Sequence, residues 1–128
     1  MGVIPINLEG VSHYLLAAIL GYEYGIGVRN GCFCAHPYML FLMGVADEKA
    51  KIVRDEIIRG DRREVPGMVR VSFGLYNTID DVDKLVSALR AVAAQQYKGK
   101  YHQNISNGEF IPVGWDINFD KYFSFKSN

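Results

Sequence analysis

The sequence predicts a small α/β (α+β) domain in which helices cover one face of a short sheet. Three observations support this class. Strand-like segments alternate with helix-like segments along the 128 residues. About half of the residues are apolar and 22% are charged, which is typical of a globular protein. The chain is long enough for one compact core, and no repeat, low-complexity tract or linker divides it, so residues 1–128 are read as a single domain.

Five elements are predicted in the first half of the chain, in the order strand, helix, strand, helix and helix. They are expected at residues 3–8, 11–20, 26–29, 37–43 and 47–57. Pro5 cannot donate a hydrogen bond to a neighbouring strand, so the first strand is expected at a sheet edge. Gly21 is expected to end the first helix, and Asp47 is expected to cap the third.

A strand and the most clearly patterned helix follow a charged loop at residues 60–67. Residues 68–75 alternate and contain β-branched side chains, which indicates a strand. Thr78 and Asp81 have the spacing of a capping box at a helix start. The helix that follows carries an apolar stripe at helical spacing up to Val92, so it is expected to pack on the sheet.

The segment 97–128 differs from the rest of the chain. It holds eight of the sixteen aromatic residues but shows little periodicity. Exposed aromatic clusters usually mark a contact surface. This tail is therefore expected to pack either on this domain or on a domain that is missing from the sequence.

Composition and charge exclude several functions. The formal net charge is zero, so bulk electrostatics favour neither nucleic acid nor an anionic membrane as a partner. No apolar run reaches membrane-spanning length, and no signal peptide is recognised. Cys32 and Cys34 are too close in sequence for a relaxed disulfide. These features predict a cytoplasmic protein with reduced thiols.

Cys34 is the first candidate for chemistry. A strand-like run ends at Gly31, two cysteines follow, and a helix start comes directly afterwards. A helix N-terminus favours the thiolate, which is the nucleophilic form of cysteine. The alternative is a small buried apolar side chain, a common fate of free cysteine. A metal site with Cys32 and His36 is the weaker option because it lacks a fourth ligand.

Two arginines are further candidates. Arg70 lies within the apolar strand at residues 68–75, and Arg29 lies on the second predicted strand. A buried guanidinium needs a partner, and its planar fork matches a carboxylate. The alternative for both is an arginine on the solvated face of an alternating strand. Periodicity alone favours the solvated position.

Two ordered motifs stand out in the sequence. The first is Gly25-Ile-Gly-Val-Arg-Asn-Gly-Cys-Phe-Cys-Ala-His-Pro37, and the second is Val69-Arg-Val-Ser-Phe-Gly-Leu-Tyr-Asn-Thr78, followed by Asp81-Val-Asp-Lys-Leu85. They resemble the C-terminal small domain of the class V pyridoxal-phosphate enzymes, and the likeness covers about residues 3 to 96. The family includes cysteine desulfurases, selenocysteine lyases and molybdenum-cofactor sulfurases, and the resemblance implies the C-terminal fold of fold-type-I enzymes.

The resemblance implies roles for the candidate residues. Cys34 matches the cysteine that accepts sulfur in the desulfurases. Arg70 matches the arginine that holds the carboxylate of the amino-acid substrate, and Arg29 matches another active-site arginine. Pyridoxal phosphate is the implied cofactor. Implied partners are a sulfur-acceptor protein and, for the full-length enzyme, a second copy in a homodimer.

One part of the family pattern is missing. The cofactor lysine, the aspartate that faces the pyridinium ring and the phosphate cradle belong to the large domain of the family, and none of their motifs occurs here. We therefore expect a C-terminal fragment of a larger enzyme, or a stand-alone remnant of one, inactive without the cofactor lysine. Two alternatives remain: a class V aminotransferase in which Cys34 is structural, and a non-catalytic binding module.

Overall fold

The computed structural model describes residues 2–116 and confirms the predicted mixed α/β class. Nine elements follow one another in chain order. They are β1 Val3–Ile6, α1 His13–Tyr24, β2 Arg29–Gly31, α2 His36–Leu42, α3 Asp47–Ile58, β3 Met68–Ser72, α4 Ile79–Ala93, β4 Tyr101–Gln103 and β5 Phe110–Pro112. No helix among the described residues is long and apolar enough to cross a membrane.

The main sheet has three antiparallel strands in the order β1-β3-β2. Strand β1 lies at an edge, as Pro5 predicts, since a proline cannot complete a ladder on both sides. The central strand β3 places Arg70 opposite Pro5 on one side and opposite Arg29 on the other. Because directly paired residues share a face, these three side chains lie on the same face of the sheet.

The core forms on the other face of the sheet, between the sheet and two helices. Val69 and Val71 of β3 are buried there, so the intervening Arg70 belongs to the opposite face. The core residues come from α1, β3 and α4. They are Leu16, Ile19, Leu20, Val69, Val71, Leu85, Ala88 and Val92. Helices therefore cover one face of the sheet and leave the Arg70 face free of core packing.

Helix α1 is longer than predicted. Ser12 caps its start by accepting a hydrogen bond from the Tyr14 amide at 3.3 Å. Gly21, expected to end the helix, lies inside it. The helix ends at Gly25, whose φ of 65° is the left-handed conformation typical of a C-terminal glycine. Strand β2 accordingly begins at Arg29 rather than at residue 26.

The starts of two later helices differ in their caps. Asp47 was expected to cap α3, but Ala46 occupies that position without a side-chain hydrogen bond and Asp47 is the first helical residue. A carboxylate there still interacts favourably with the helix dipole. Helix α4 follows the prediction, since the Thr78 amide donates to the Asp81 carboxylate at 2.9 Å.

The described part of the tail, residues 97–116, lies against α1. Tyr97 and Tyr101 pack on the core, and the β4–β5 hairpin follows. Trp115 makes an edge contact with Tyr22 of α1, with ring centroids 5.1 Å apart. The rest of the tail prediction falls on residues 117–128, which lie outside the described residues.

Glu23 fastens this tail to α1, and its removal should loosen the fold. Its carboxylate accepts hydrogen bonds from the amides of Lys98 and Gly99, each at 2.9 Å, and from the Tyr101 hydroxyl at 2.8 Å. We expect Glu23→Gln to lower the free energy of unfolding by about 1 kcal/mol, measured by urea denaturation. The exposed Glu9 provides the control, and an equal loss in Glu9→Gln would contradict this role.

The same carboxylate should make stability pH-dependent. Burial acts to raise the pKa of Glu23, but the three donors outweigh burial and hold that pKa below its ordinary value of 4.5. A carboxyl group with a lower pKa in the folded state stabilises the fold above its unfolded pKa. This stabilisation should be full above about pH 5 and should disappear as the pH falls through the folded pKa, and it should be absent in Glu23→Gln.

Candidate functional site

The free face of the sheet places two arginines directly opposite each other on neighbouring strands. Arg29 on β2 and Arg70 on β3 are direct partners in the antiparallel register. Like charges at such positions repel each other and destabilise a sheet unless an anion lies between them or near them. The face therefore provides a pair of cations suited to a carboxylate.

Arg70 is not an ordinary solvated arginine. The residue is half-buried, and its Nε is inaccessible to solvent and has no hydrogen-bond partner within residues 2–116. Its Cζ lies 5.3 Å from the centroid of the Phe33 ring, a cation–π contact. A buried donor without a partner is costly, so the described protein atoms leave the Arg70 guanidinium incompletely satisfied. Arg29 is exposed and lies beside it.

A strained turn connects β2 to α2 and carries Cys34. The Ala35 amide donates to the Cys32 carbonyl oxygen at 2.9 Å, which closes the turn. Phe33 and Cys34, its two central residues, have φ angles of 52° and 63°. Positive φ at both positions is the pattern of a type I′ turn, which normally favours glycine or asparagine. Such backbone strain is concentrated at functional sites.

The two cysteines have opposite environments. Cys34 is exposed and lies two residues before α2. Cys32 is buried, and its thiol donates a hydrogen bond to the Pro66 carbonyl oxygen at 2.9 Å. Burial raises the pKa of Cys32, so this thiol stays protonated. The interpretation as a buried apolar side chain therefore fits Cys32, while Cys34 is the accessible thiol.

His13 supports this region, although no sequence pattern pointed to this residue. The side chain is buried at the start of α1, and its Nε2 lies 2.8 Å from the Val65 carbonyl oxygen. Burial is the main influence on its pKa and lowers it, although the hydrogen bond to Val65 opposes this. A neutral ring follows, and it donates from Nε2 to Val65. His13 and Cys32 together hold residues 65–67, which lead into β3 and Arg70.

The metal interpretation has little support in the described structure. Cys32 is buried against Pro66, whereas Cys34 and His36 are exposed. Among residues 2–116, no group of three or more His, Cys, Asp and Glu side chains is placed to hold a metal ion.

The comparisons with known proteins identify the family. The model of the aminotransferase class V family matches residues 1–85, which is more than half of the chain. The chain therefore belongs to the class V aminotransferase family. The match includes both motifs, the Cys34 turn and the Arg29–Arg70 pair.

Similar curated proteins include cysteine desulfurases. The chain is 34% identical over 87 residues to a probable cysteine desulfurase of Vibrio cholerae, which covers 68% of this chain and 16% of the relative. It is 35% identical over 91 residues to a cysteine desulfurase of Yersinia pestis, covering 71% of this chain and 17% of the relative. The chain thus spans less than a fifth of the length of these relatives. No solved structure matches the chain.

The described residues do not form a site for pyridoxal phosphate. A cofactor lysine has to reach the reacting group from within a sheltered pocket. The described lysines are all exposed and lie on α3, α4 or the loop before β4. They are Lys49, Lys51, Lys84, Lys98 and Lys100. Nothing among residues 2–116 therefore fits the cofactor.

Proposed function

We propose that this chain is the substrate-closing C-terminal domain of a cysteine desulfurase or selenocysteine lyase of the class V family. In this proposal Cys34 accepts sulfur and Arg70 holds the carboxylate of the amino-acid substrate. The observation that carries the proposal is the position of the Phe33–Cys34 turn. Its aromatic residue lies on the Arg70 guanidinium, and the next residue is an exposed thiol.

The arginine pair would orient the substrate. Arg70 is half-buried and held against the Phe33 ring, and Arg29 adds a second positive charge on the same face of the sheet. A bidentate guanidinium–carboxylate contact fixes both the position and the plane of the bound group. Holding the carboxylate in this way keeps the rest of the substrate in a single orientation for reaction.

The exposed thiol would then act as the nucleophile. The Cys34 Sγ, as a thiolate, forms an S–S bond with the substrate sulfur while the substrate C–S bond breaks. The electron pair of that bond stays with the carbon, which takes up a proton and leaves as part of alanine. The protein retains the sulfur as a persulfide on Cys34, and an acceptor protein removes it in a later step.

The remaining parts of the enzyme would come from outside this chain. Because the described residues provide no cofactor site, the lysine, the ring-facing carboxylate and the phosphate site are assigned to a second domain. We use "complete protein" for this chain together with that domain. We expect the complete protein to be cytoplasmic and to form a homodimer.

The proposal is tested by locating the sulfur. The complete protein is incubated with L-cysteine labelled with ³⁵S, and the bound sulfur is trapped by alkylation before proteolysis. We expect the label on the peptide that contains Cys32 and Cys34, and we expect Cys34→Ala to remove it together with alanine formation. Cys32→Ser should keep both, because this side chain is buried and a hydroxyl can still donate to the Pro66 carbonyl oxygen.

Other outcomes distinguish the alternatives. If Cys34→Ala still forms alanine and sulfide, Cys34 is not the sulfur acceptor. If a keto acid accumulates instead and Cys34→Ala has no effect, the complete protein is an aminotransferase with a structural Cys34. If no amino acid is converted by a protein that holds its cofactor, the chain acts as a binding module.

A further inference from the structure

We propose that a groove between α2 and α3 binds an acidic, apolar segment of the protein that takes sulfur from Cys34. This inference rests on the proposed function, since it assigns the partner that the persulfide requires. It concerns a part of the chain that the substrate site does not use, namely the face formed by α2 and the following helix.

The groove begins directly after the turn that carries the thiol. It has a volume of about 550 Å³, and His36 and Pro37 form one end of it. His36 is two residues from Cys34, so their Cα atoms are at most about 7.6 Å apart. A segment lying in the groove would therefore place the groups next to it within reach of the thiol.

The floor of the groove is apolar and remains open to solvent. Its apolar lining residues are Pro37, Leu40, Phe41, Val45 and Ala50. Phe41 is 79% exposed, which is unusual for a phenylalanine beside a groove. The core cluster contains no residue from α2 or α3, so this surface is separate from the packing that holds the sheet. Exposed apolar surface of this kind typically marks an interaction site.

The charge of the rim selects the partner. Lys51 and Arg54 of α3 line the groove, and neither forms an ion pair with a carboxylate within residues 2–116. Asp47 is the opposing acidic residue, at the first position of α3. Two cations against one carboxylate, beside an apolar floor, favour a segment that combines apolar side chains with Asp or Glu.

Other occupants fit the charge less well. A second copy seated groove to groove would bring Lys51 and Arg54 of both copies together, and like charges repel. The segment 117–128 of this chain carries two lysines and only one aspartate. An acidic acceptor segment is therefore the occupant that the rim favours.

The test uses a reactive peptide as a substitute for the acceptor. A synthetic peptide of alternating Leu, Phe and Glu residues carries a terminal bromoacetyl group, and a matched peptide has Lys in place of Glu. The rate of Cys34 alkylation in the complete protein is followed by mass spectrometry of the Cys34 peptide. Free bromoacetamide measures the intrinsic reactivity of the thiol.

We expect the acidic peptide to alkylate Cys34 at least about tenfold faster than the basic peptide, because docking raises its local concentration. The double variant Lys51→Glu/Arg54→Glu should lose this acceleration. The control Lys49→Glu/Arg59→Glu reverses two exposed charges on the same segment that do not line the groove, and it should keep the acceleration. Free bromoacetamide should react equally with all three proteins.

Three results would contradict the proposal that this groove binds an acidic segment. These are equal rates for the two peptides, the same loss in both double variants, and no rise in fluorescence anisotropy when a non-reactive acidic peptide is added. The anisotropy measurement covers the case in which the peptide binds with its reactive end away from the thiol. None of these measurements needs sulfur transfer. If the peptide binds in the groove but Cys34 acquires no ³⁵S from cysteine, only the proposed function is refuted.

Discussion

Replacing Arg70 by alanine is expected to raise the KM of the complete protein for L-cysteine about 30- to 150-fold. The guanidinium has a buried Nε without a partner among the described residues, and it is held by the Phe33 ring. A hydrogen-bonded ion pair with a substrate carboxylate at such a position contributes about 2–3 kcal/mol. Each 1.4 kcal/mol corresponds to about a tenfold change in binding. Steady-state kinetics on the variant measures this loss.

Three further variants test whether the rise in KM is specific to the Arg70 guanidinium. Arg70→Lys keeps the charge but loses the planar fork, so its KM should lie between those of the wild type and Arg70→Ala. Arg29→Ala should have a smaller effect because that side chain is exposed. Arg90 is an exposed arginine on α4, away from the sheet, and Arg90→Ala should leave KM unchanged. A KM for Arg70→Ala within twofold of the wild-type value would remove Arg70 from the substrate site.

The fold could be predicted wherever a repeating apolar pattern determines the packing. The stripe on α4 and the alternation on β3 place Leu85, Val92, Val69 and Val71 in one core, as the structure confirms. Helix ends were less certain, because they depend on single backbone conformations. Gly21 was the expected end of α1, but the helix continues to Gly25, which adopts the left-handed conformation.

Only part of the candidate site could be predicted from the sequence. The motifs pointed to Cys34 and Arg70, but the side-by-side position of Arg29 and Arg70 depends on a strand register that no local pattern specifies. The contact between Phe33 and Arg70 depends on a turn with two unfavourable φ angles, which residue preferences argue against. Propensity rules fail at such strained positions because the surrounding structure imposes the conformation.

The support provided by His13 also depends on long-range contacts. Its partner Val65 is 52 residues away in sequence, so spacing along the chain carries no sign of the interaction. The same applies to the Cys32 thiol and Pro66, which are 34 residues apart. These two hydrogen bonds connect α1 and the thiol turn to the residues that precede Arg70. The short segment 65–67 therefore connects the turn that carries Cys34 to the strand that carries Arg70.

Gly67 is the residue at which this link should be most sensitive to substitution. A Cβ atom at this position would lie 2.8 Å from the Gly31 Cα of β2 and 2.8 Å from the His13 Nε2. Gly67 is buried, so neither the strand backbone nor the hydrogen-bonded ring can move away without repacking. We expect Gly67→Ala to destabilise the fold by about 1–3 kcal/mol through overpacking. For a domain of this size, thermal denaturation should show a loss of roughly 3–5 °C for each kcal/mol.

Gly27→Ala is the matched control for this substitution. A Cβ atom at Gly27 would meet nothing within 4 Å, so the melting temperature should change little. Because Gly31 pairs with Met68 in the β2–β3 ladder, the Gly67→Ala change should also displace Arg29 relative to Arg70. The KM for L-cysteine should then rise in Gly67→Ala even at temperatures where the variant is fully folded, and it should stay constant in Gly27→Ala. A folded Gly67→Ala protein with unchanged melting temperature and KM would show that segment 65–67 does not hold the arginine pair in place.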